Sequence, residues 1–307
     1  MGGDGMNHKE VPTEEKQEHL QWLAGLSGSD FTSAMLKVFR MRAEDVANGD
    51  LLRRFSATRF TAPADLDPAA YHRLQAVLLE KAQSCGFIPL LLSPLAPFGS
   101  CSAFGCVNQD KVMSTIRGAE ALADPTNMLA VHIASNIRSG ELEQGKTHHF
   151  CATAQVTRAQ NSARKGVLTH FGLLGLISSG MDTGSYLCEK ELLLQHLRYY
   201  EALLEGSGQV VLHRRRGYPD EEGFWNRMTD FLQNAGLSMP VCIGEPQEEN
   251  SYYKGLNFKI YGEIDGVRRE IADGGFVDWI NRMTGLRKLR CLISGAGLER
   301  LLSFVHI

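Results

Sequence analysis

"SGAGLERLL", Ser294 to Leu302, is the stretch on which the reading of this chain turns. Two glycines, Gly295 and Gly297, flank an alanine; Glu299 and Arg300 stand side by side; leucines follow. The preceding "LRCLI" reads as a strand and the leucines as a helix, so strand passes to helix through residues with almost no side chain. Glycines there let the backbone pass close to a neighbour or a ligand, and an arginine opening the helix can project towards a bound anion. The competing reading is an ordinary strand-to-helix turn with an exposed Glu299–Arg300 pair.

Working outward, "GFVDWINRMTG" (275–285) reads as a short helix, and "YYKGLNFKIYGEIDGVRREIADGG" (252–275) as a hairpin turning at Asp265-Gly266. "CEKELLLQHLRYYEALLEG" (188–206) is a long amphipathic helix. Before it, His148 to Arg158 and Val167 to Ile177 are strand-like runs joined by the polar, basic "AQNSARKG", a second antiparallel hairpin. A helix starts at Asp124-Pro125. Another runs from Pro68 to near Gly86, with Asp67 as N-cap. Between these two helices "FIPLLLSPLAPF" (87–98), interrupted by three prolines, reads as an extended edge strand. Residues up to about Pro63 form a charged helical extension with Leu20, Leu23 and Leu26 at helical spacing.

Composition narrows the function classes. With 307 residues, 43% hydrophobic, the chain can bury a substantial core. A net charge of -3 gives no general attraction to nucleic acid, and the basic runs "HRRRG" (213–217) and "RKLR" (287–290) read as solvated loops or helix ends. No apolar run reaches the ~18 residues of a membrane span. The polar N-terminus lacks the apolar stretch of a signal peptide, and "MGGDGM" lacks the Ser or Thr of a myristoylation site, so the expectation is a cytoplasmic protein. Seven scattered cysteines read as small buried thiols; "CSAFGC" and "HHFC" lack the C-x-x-C of a zinc site, and no metal site is expected.

The order of elements, with "GAGLERL" and "YYKGLNF" as its most specific fragments, resembles the class II aminoacyl-tRNA synthetase core from about Asp65 onward. Within that class it is most similar to the histidyl-tRNA synthetase branch, which also contains the tRNA-independent regulatory subunit of ATP phosphoribosyltransferase. The resemblance implies an α+β fold, an antiparallel β-sheet flanked by helices, with residues 1–64 as an N-terminal extension and 65–307 as the core domain. The helix from Pro68 and the following strand look like motif 1, the dimer-forming element, and imply a homodimer. Arg158 of "QVTR" falls where the motif 2 arginine grips the ATP α-phosphate and the acyl carbonyl. Arg300 looks like the motif 3 arginine on the γ-phosphate. By the same resemblance Gln160, Arg164 and Gly297 join the ATP site, and ATP comes with Mg2+. Tyr252 and Tyr253 match the tyrosine pair lining the amino-acid pocket, "DGGFVD" places Gly274 and Gly275 at its floor, and His170 stands near the substrate as a new polar contact.

The departures bear on function. Gln160 stands for a glutamate, Leu174 for the glutamate that pairs with the substrate ammonium, and Glu248 of "EENSYY" for the catalytic arginine. An ammonium without its carboxylate loses a charge-assisted bond, so ordinary histidyl-tRNA synthetase is rejected. With the chain ending at Ile307, no C-terminal anticodon-binding domain and no full tRNA recognition are expected. Two readings remain. One is a core that binds ATP and activates an amino acid or other small carboxylate as an adenylate, passing it to a carrier. The other is a non-catalytic regulatory or ligand-sensing partner of another enzyme.

Overall fold

A computed structural model describes residues 13–58, 60–105, 107–159, 169–247, 252–264 and 266–305. Among the described residues three helices come first: α1 (Thr13–Ala24), α2 (Gly28–Glu44) and α3 (Asn48–Ala57), none with a buried residue. Next come α4 (Pro68–Ser84), β1 (Ile88–Pro89), β2 (Leu95–Pro97), α5 (Ser100–Ala103), β3 (Ala119–Ala121) and α6 (Pro125–Ser139). The chain continues through β4 (His148–Thr157), β5 (His170–Met181), α7 (Leu187–Leu203), β6 (Gln209–Arg214), α8 (Glu221–Gln233) and β7 (Val241–Ile243). It closes with β8 (Lys254–Ile264), β9 (Val267–Val277), α9 (Trp279–Thr284), β10 (Leu289–Gly297) and α10 (Leu298–Leu301).

Among the described residues eight strands form one sheet in the order β1-β4-β5-β10-β9-β8-β6-β7. The six inner strands are antiparallel, but β1 lies parallel to β4 and β7 parallel to β6, so the sheet is mixed rather than purely antiparallel. Both expected hairpins form, β4–β5 and β8–β9, the latter closing at Ile264↔Val267 around Gly266. The proline-rich run 87–98 is not one edge strand. Pro94 has no N–H to give a ladder, and the run divides into β1 on the main sheet and β2, which pairs with β3 in a small second sheet. Likewise Gly275–Val277 belongs to β9, and the short helix begins only at Trp279.

The two basic runs are corrected too. "HRRRG" ends an inner strand; His213 and Arg215 are buried, Arg215 donating from Nε to Asn257 Oδ1 at 2.7 Å and from its terminal nitrogens to Gln247. Arg290 of "RKLR" holds both Asp182 (2.6 Å) and fully buried Glu189 (2.9 Å), tying β10 to the start of α7. Charge alone could not reveal either, because a guanidinium is buried only where the fold supplies partners.

Alternation along the central strands sends side chains to two helical layers. On one face Leu174 and Leu176 of β5 and Leu292 and Ala296 of β10 pack with Leu74 and Leu78 of α4, Leu192 and Leu197 of α7, and α10. On the other, Ile177, Cys291 and Ile293 pack with Leu129 and Ile133 of α6 and Trp279 of α9. Polar side chains cross the first layer as a chain: His149 with Ser178 (2.7 Å), Ser178 with His196 (2.9 Å), His196 with Ser294 (2.7 Å), and Tyr200 donating to Ser294 (3.1 Å). The start of α6 sits directly on β5 because residue 175 is glycine; a Cβ there would meet Pro125 Cγ at 2.8 Å. That contact brings Asp124 and Asn127 over the open part of the second face.

Candidate functional site

Where α6 and α9 stop short of covering the second face, a cleft of about 750 Å3 lies over β5, β10 and β9. Its floor is bare at β10. Odd-numbered residues of that strand face the cleft, and a Cβ on Gly297 would meet nothing within 4 Å, while one on Gly295 would meet only Leu174 O at 3.1 Å. The small residues of the opening motif therefore leave a flat surface on which a ligand can lie against backbone.

Arg158 and Arg300, far apart in sequence, line this one cleft. Arg158 sits just beyond the end of β4. Its backbone N–H donates to Thr169 O at 3.0 Å, its Nε to Ala123 O at 2.8 Å, and Nη2 lies 3.5 Å from Asp124 Oδ2. Its guanidinium stacks over Phe171, 5.3 Å from the ring centre. Arg300 donates to the backbone oxygen of Glu270 at 3.2 Å, and its neighbour Glu299 accepts the Gly172 N–H at 2.8 Å, locking α10 to β5. The junction is thus more than an exposed Glu–Arg pair.

Tyr252, Tyr253 and Asp273 line the inner part of the same cleft. The tyrosine rings meet edge to face at 4.8 Å, and Tyr252 packs on Trp279 at 5.4 Å. Tyr253 donates its hydroxyl to Asp273 Oδ2 at 3.0 Å. Desolvation, with lesser help from the charges of Glu270 and Asp124, raises the Asp273 carboxyl above the usual carboxylate range. Burial, then Asp124, pushes the Cys101 thiol up to about 12, so this cleft-lining cysteine is a neutral thiol and no nucleophile.

Several sequence expectations are rearranged. Gly274 and Gly275 lie beneath the cleft rather than in its lining: a Cβ on Gly275 would strike the Tyr253 ring at 2.6 Å, and one on Gly274 would strike Ser294 Cβ at 2.5 Å on the opposite face. His170 does not line the cleft. An even-numbered residue of β5, it faces away from the cleft and hydrogen-bonds Ala62 O at 2.7 Å, fastening the segment before α4 to the sheet. Leu174 belongs to that same outer face, in the core with α4 and α7, so it cannot occupy the place of a substrate-facing glutamate. The inference that the pocket lacks a carboxylate falls with it, because Asp273 supplies one. Its signal was present in "DGG", where an acid precedes two glycines on a strand otherwise apolar. Gln160, Arg164 and Glu248 lie outside the described residues.

Among the described residues no three His, Cys, Asp or Glu side chains converge as a metal cage, and no helix is long and apolar enough to cross a membrane. Glu270 and Glu299 stand beside Arg300 in the cleft. They suit a hard cation that arrives on phosphate oxygens and takes one or two carboxylates from the protein, as Mg2+ does.

No protein-family model matches the sequence, and no curated protein matches it. Solved structures do. A Bacillus halodurans protein described as an ATP phosphoribosyltransferase regulatory subunit/histidyl-tRNA synthetase superposes with a TM-score of 0.60 at 13% identity, covering 81% of this chain and 82% of the other. A histidine–tRNA ligase subunit from Alicyclobacillus acidocaldarius gives 0.57 at 13% identity over 79% of this chain and 97% of the other. Apo histidyl-tRNA synthetase from S. aureus gives 0.58 at 11% identity, with 78% and 67% covered. At these identities the likeness is one of fold: the chain has a class II synthetase-like fold of the kind shared by histidyl-tRNA synthetases and the regulatory-subunit branch.

Proposed function

We propose that the cleft binds ATP with Mg2+ beside an amino acid or other small carboxylate and joins them as an adenylate. The observation that carries this reading is that Arg158 and Arg300 line one cleft, over a strand floor made bare by Gly295 and Gly297. In the reaction a carboxylate oxygen attacks the α-phosphorus, the bond to the bridging oxygen breaks, and pyrophosphate leaves with its electron pair. Negative charge gathers on the α-phosphoryl oxygens, and a guanidinium already fixed by Ala123 O and Phe171 stabilises it without reorganising. Arg300 serves the γ-phosphate, and Gly297 lets the nucleotide lie against β10. Glu270 or Glu299 would hold the Mg2+ that accompanies ATP, which would supply positive charge against the pyrophosphate. The activated acyl group then passes to a carrier or partner enzyme in the cytoplasm.

A second reading, a regulatory or ligand-sensing subunit without catalysis, is favoured by one feature. Both arginines already spend donors on protein acceptors, Arg158 on Ala123 and Asp124 and Arg300 on Glu270. In either case residues 65–307 act as the core. A homodimer is supported by the apolar surface at the motif 1-like segment, where Ile88, Leu91, Leu95 and Phe98 are all exposed, Leu91 completely.

Calorimetric titration with ATP, with and without magnesium, followed by ATP–pyrophosphate exchange over an amino-acid panel, separates the two. Saturable micromolar binding and exchange with one carboxylate support the enzyme. No binding at millimolar ATP rejects it in favour of the sensing subunit.

A further inference from the structure

Seven charged side chains line the cleft, and six of them are already engaged by the protein. Asp124 faces Arg158 at 3.5 Å, Glu270 takes the Lys259 ammonium at 2.7 Å, Asp273 receives the Tyr253 hydroxyl, and Glu299 accepts the Gly172 N–H. Arg158 also donates to Ala123 O, and Arg300 to Glu270 O. The seventh is Lys111. It is exposed, and its ammonium makes no hydrogen bond or ion pair among the described residues, with Asp110 and Asp124 included. Each acid of the lining is met by a donor; this ammonium is the group left without a counterpart.

The loose charge sits on a firmly held backbone. Lys111 ends a single 3-10 turn, Gln109–Lys111, opened by Asn108 Oδ1 accepting the Asp110 N–H at 2.9 Å. Gln109 accepts from the Ser102 hydroxyl at 2.7 Å and donates from Nε2 to Glu120 at 2.9 Å. Glu120 is fully buried, and it also receives the N–H groups of Gly99 and Cys101. Burying a carboxylate is costly unless donors surround it, and here that carboxylate clamps the segment carrying Lys111. Lys111 O in turn accepts the Ala159 N–H at 2.9 Å, and Val112 bridges Arg158 in antiparallel fashion. Opposed residues in such a bridge lie about 5 Å apart at Cα. Lys111 therefore starts beside the backbone of Arg158, at the opposite end of the floor strand from α10 and Arg300, and a flexible four-carbon stem carries its charge.

We infer that Lys111 is a phosphate-contacting residue of the cleft, its ammonium closing on the nucleotide phosphate nearest the ribose, next to Arg158. This rests on the reading of the cleft as a nucleotide site and deepens it: the Arg158 end takes a nucleoside monophosphate by itself, and Arg300 is needed only for the phosphates beyond. The division suits the two chemistries. A guanidinium fixed by Ala123 and Phe171 sets the direction of approach, and an uncommitted ammonium follows the phosphate as it arrives.

The test titrates the full chain calorimetrically with ATP, AMP and adenosine. Lys111→Met should weaken ATP and AMP by the same factor, about tenfold, as expected for one charge-assisted bond. Adenosine affinity and the melting temperature should stay at wild-type values, because the side chain is exposed. Lys111→Arg should recover most of the loss, and Arg300→Ala should weaken ATP while leaving AMP unchanged. A second readout needs no variant: brief acetylation with acetic anhydride, read by mass spectrometry, should modify Lys111 several-fold less when AMP is present, with exposed Lys146 unaffected. AMP affinity unchanged in Lys111→Met overturns the inference, as does an equal loss for adenosine or a Lys111 that AMP does not protect. Pyrophosphate exchange that keeps its wild-type KM for ATP in Lys111→Met overturns it too and leaves adenylation standing. AMP binding that depends on Lys111 without any exchange would reject adenylation and leave Lys111 in place. A wild-type protein that binds neither nucleotide at millimolar concentration sinks both readings.

Discussion

Substituting Gly297 by valine isolates the use of the bare strand floor from the stability of the fold. The backbone at Gly297 has φ -74° and ψ 126°, ordinary extended geometry that valine adopts readily. A Cβ there meets nothing within 4 Å, so the side chain enters the cleft and not the core. Replacing a glycine at a compatible position stabilises by roughly 0.4–1 kcal/mol, because the unfolded chain loses freedom. The isopropyl group meanwhile occupies the surface proposed for the nucleotide, and a loss of tenfold or more in ATP affinity, about 1.4 kcal/mol, is expected. Thermal melting and calorimetric ATP titration on the same preparation read both effects. The matched control is Gly274→Ala, whose Cβ would come within 2.5 Å of Ser294 Cβ and 2.6 Å of Ile293 O; overpacking of that kind costs about 1–3 kcal/mol. ATP affinity unchanged in Gly297→Val would refute the placement of the nucleotide over β10. A melting temperature that falls as far as that of Gly274→Ala would refute the placement of residue 297 at the cleft surface.

Other expected outcomes follow from the same geometry. Arg158→Ala removes charge-assisted donors worth roughly 1.5–3 kcal/mol each, so ATP affinity should drop by one to two orders of magnitude with the fold retained by circular dichroism; a change in melting temperature alone would remove Arg158 from the ATP site. Acid should unfold the protein early. Burial lowers the imidazole of His149 to about 4 and that of His196 well below its usual value, so both are neutral when folded. As pH falls through about 6.5 the unfolded chain takes up these protons and the folded one does not, so stability is full above that pH and declines towards pH 4. A denaturation midpoint flat from pH 7 to 4.5 would contradict the buried polar chain. Leu91→Asp, at a fully exposed site beside β1, should leave the melting temperature almost unchanged and convert a dimer to monomer by light scattering. A dimer that survives it uses another surface.

What the sequence determined by itself is the succession of elements and the class of fold. Asp67-Pro68 and Asp124-Pro125 mark helix starts because a side-chain cap and a proline act within one turn. Asp265-Gly266 and the small residues of "SGAG" act just as locally, and Arg158, Arg300 and the two tyrosines were legible beside them. What only the tertiary structure decided is which face each residue presents and what stands opposite. A strand reverses its faces at every residue, so His170 and Leu174 pass from the site to the outer layer on a single step of register. Arg215 is buried and Arg290 half-buried because acceptors from distant strands and helices meet them. Asp273 of β9 and the Asp124–Asn127 turn that starts α6 come from separate segments, and they meet at one end of the cleft because Gly175 lets α6 sit down on β5. Local signals fix where elements begin and end; the assembly of charges across the sheet depends on contacts between residues that no local pattern connects.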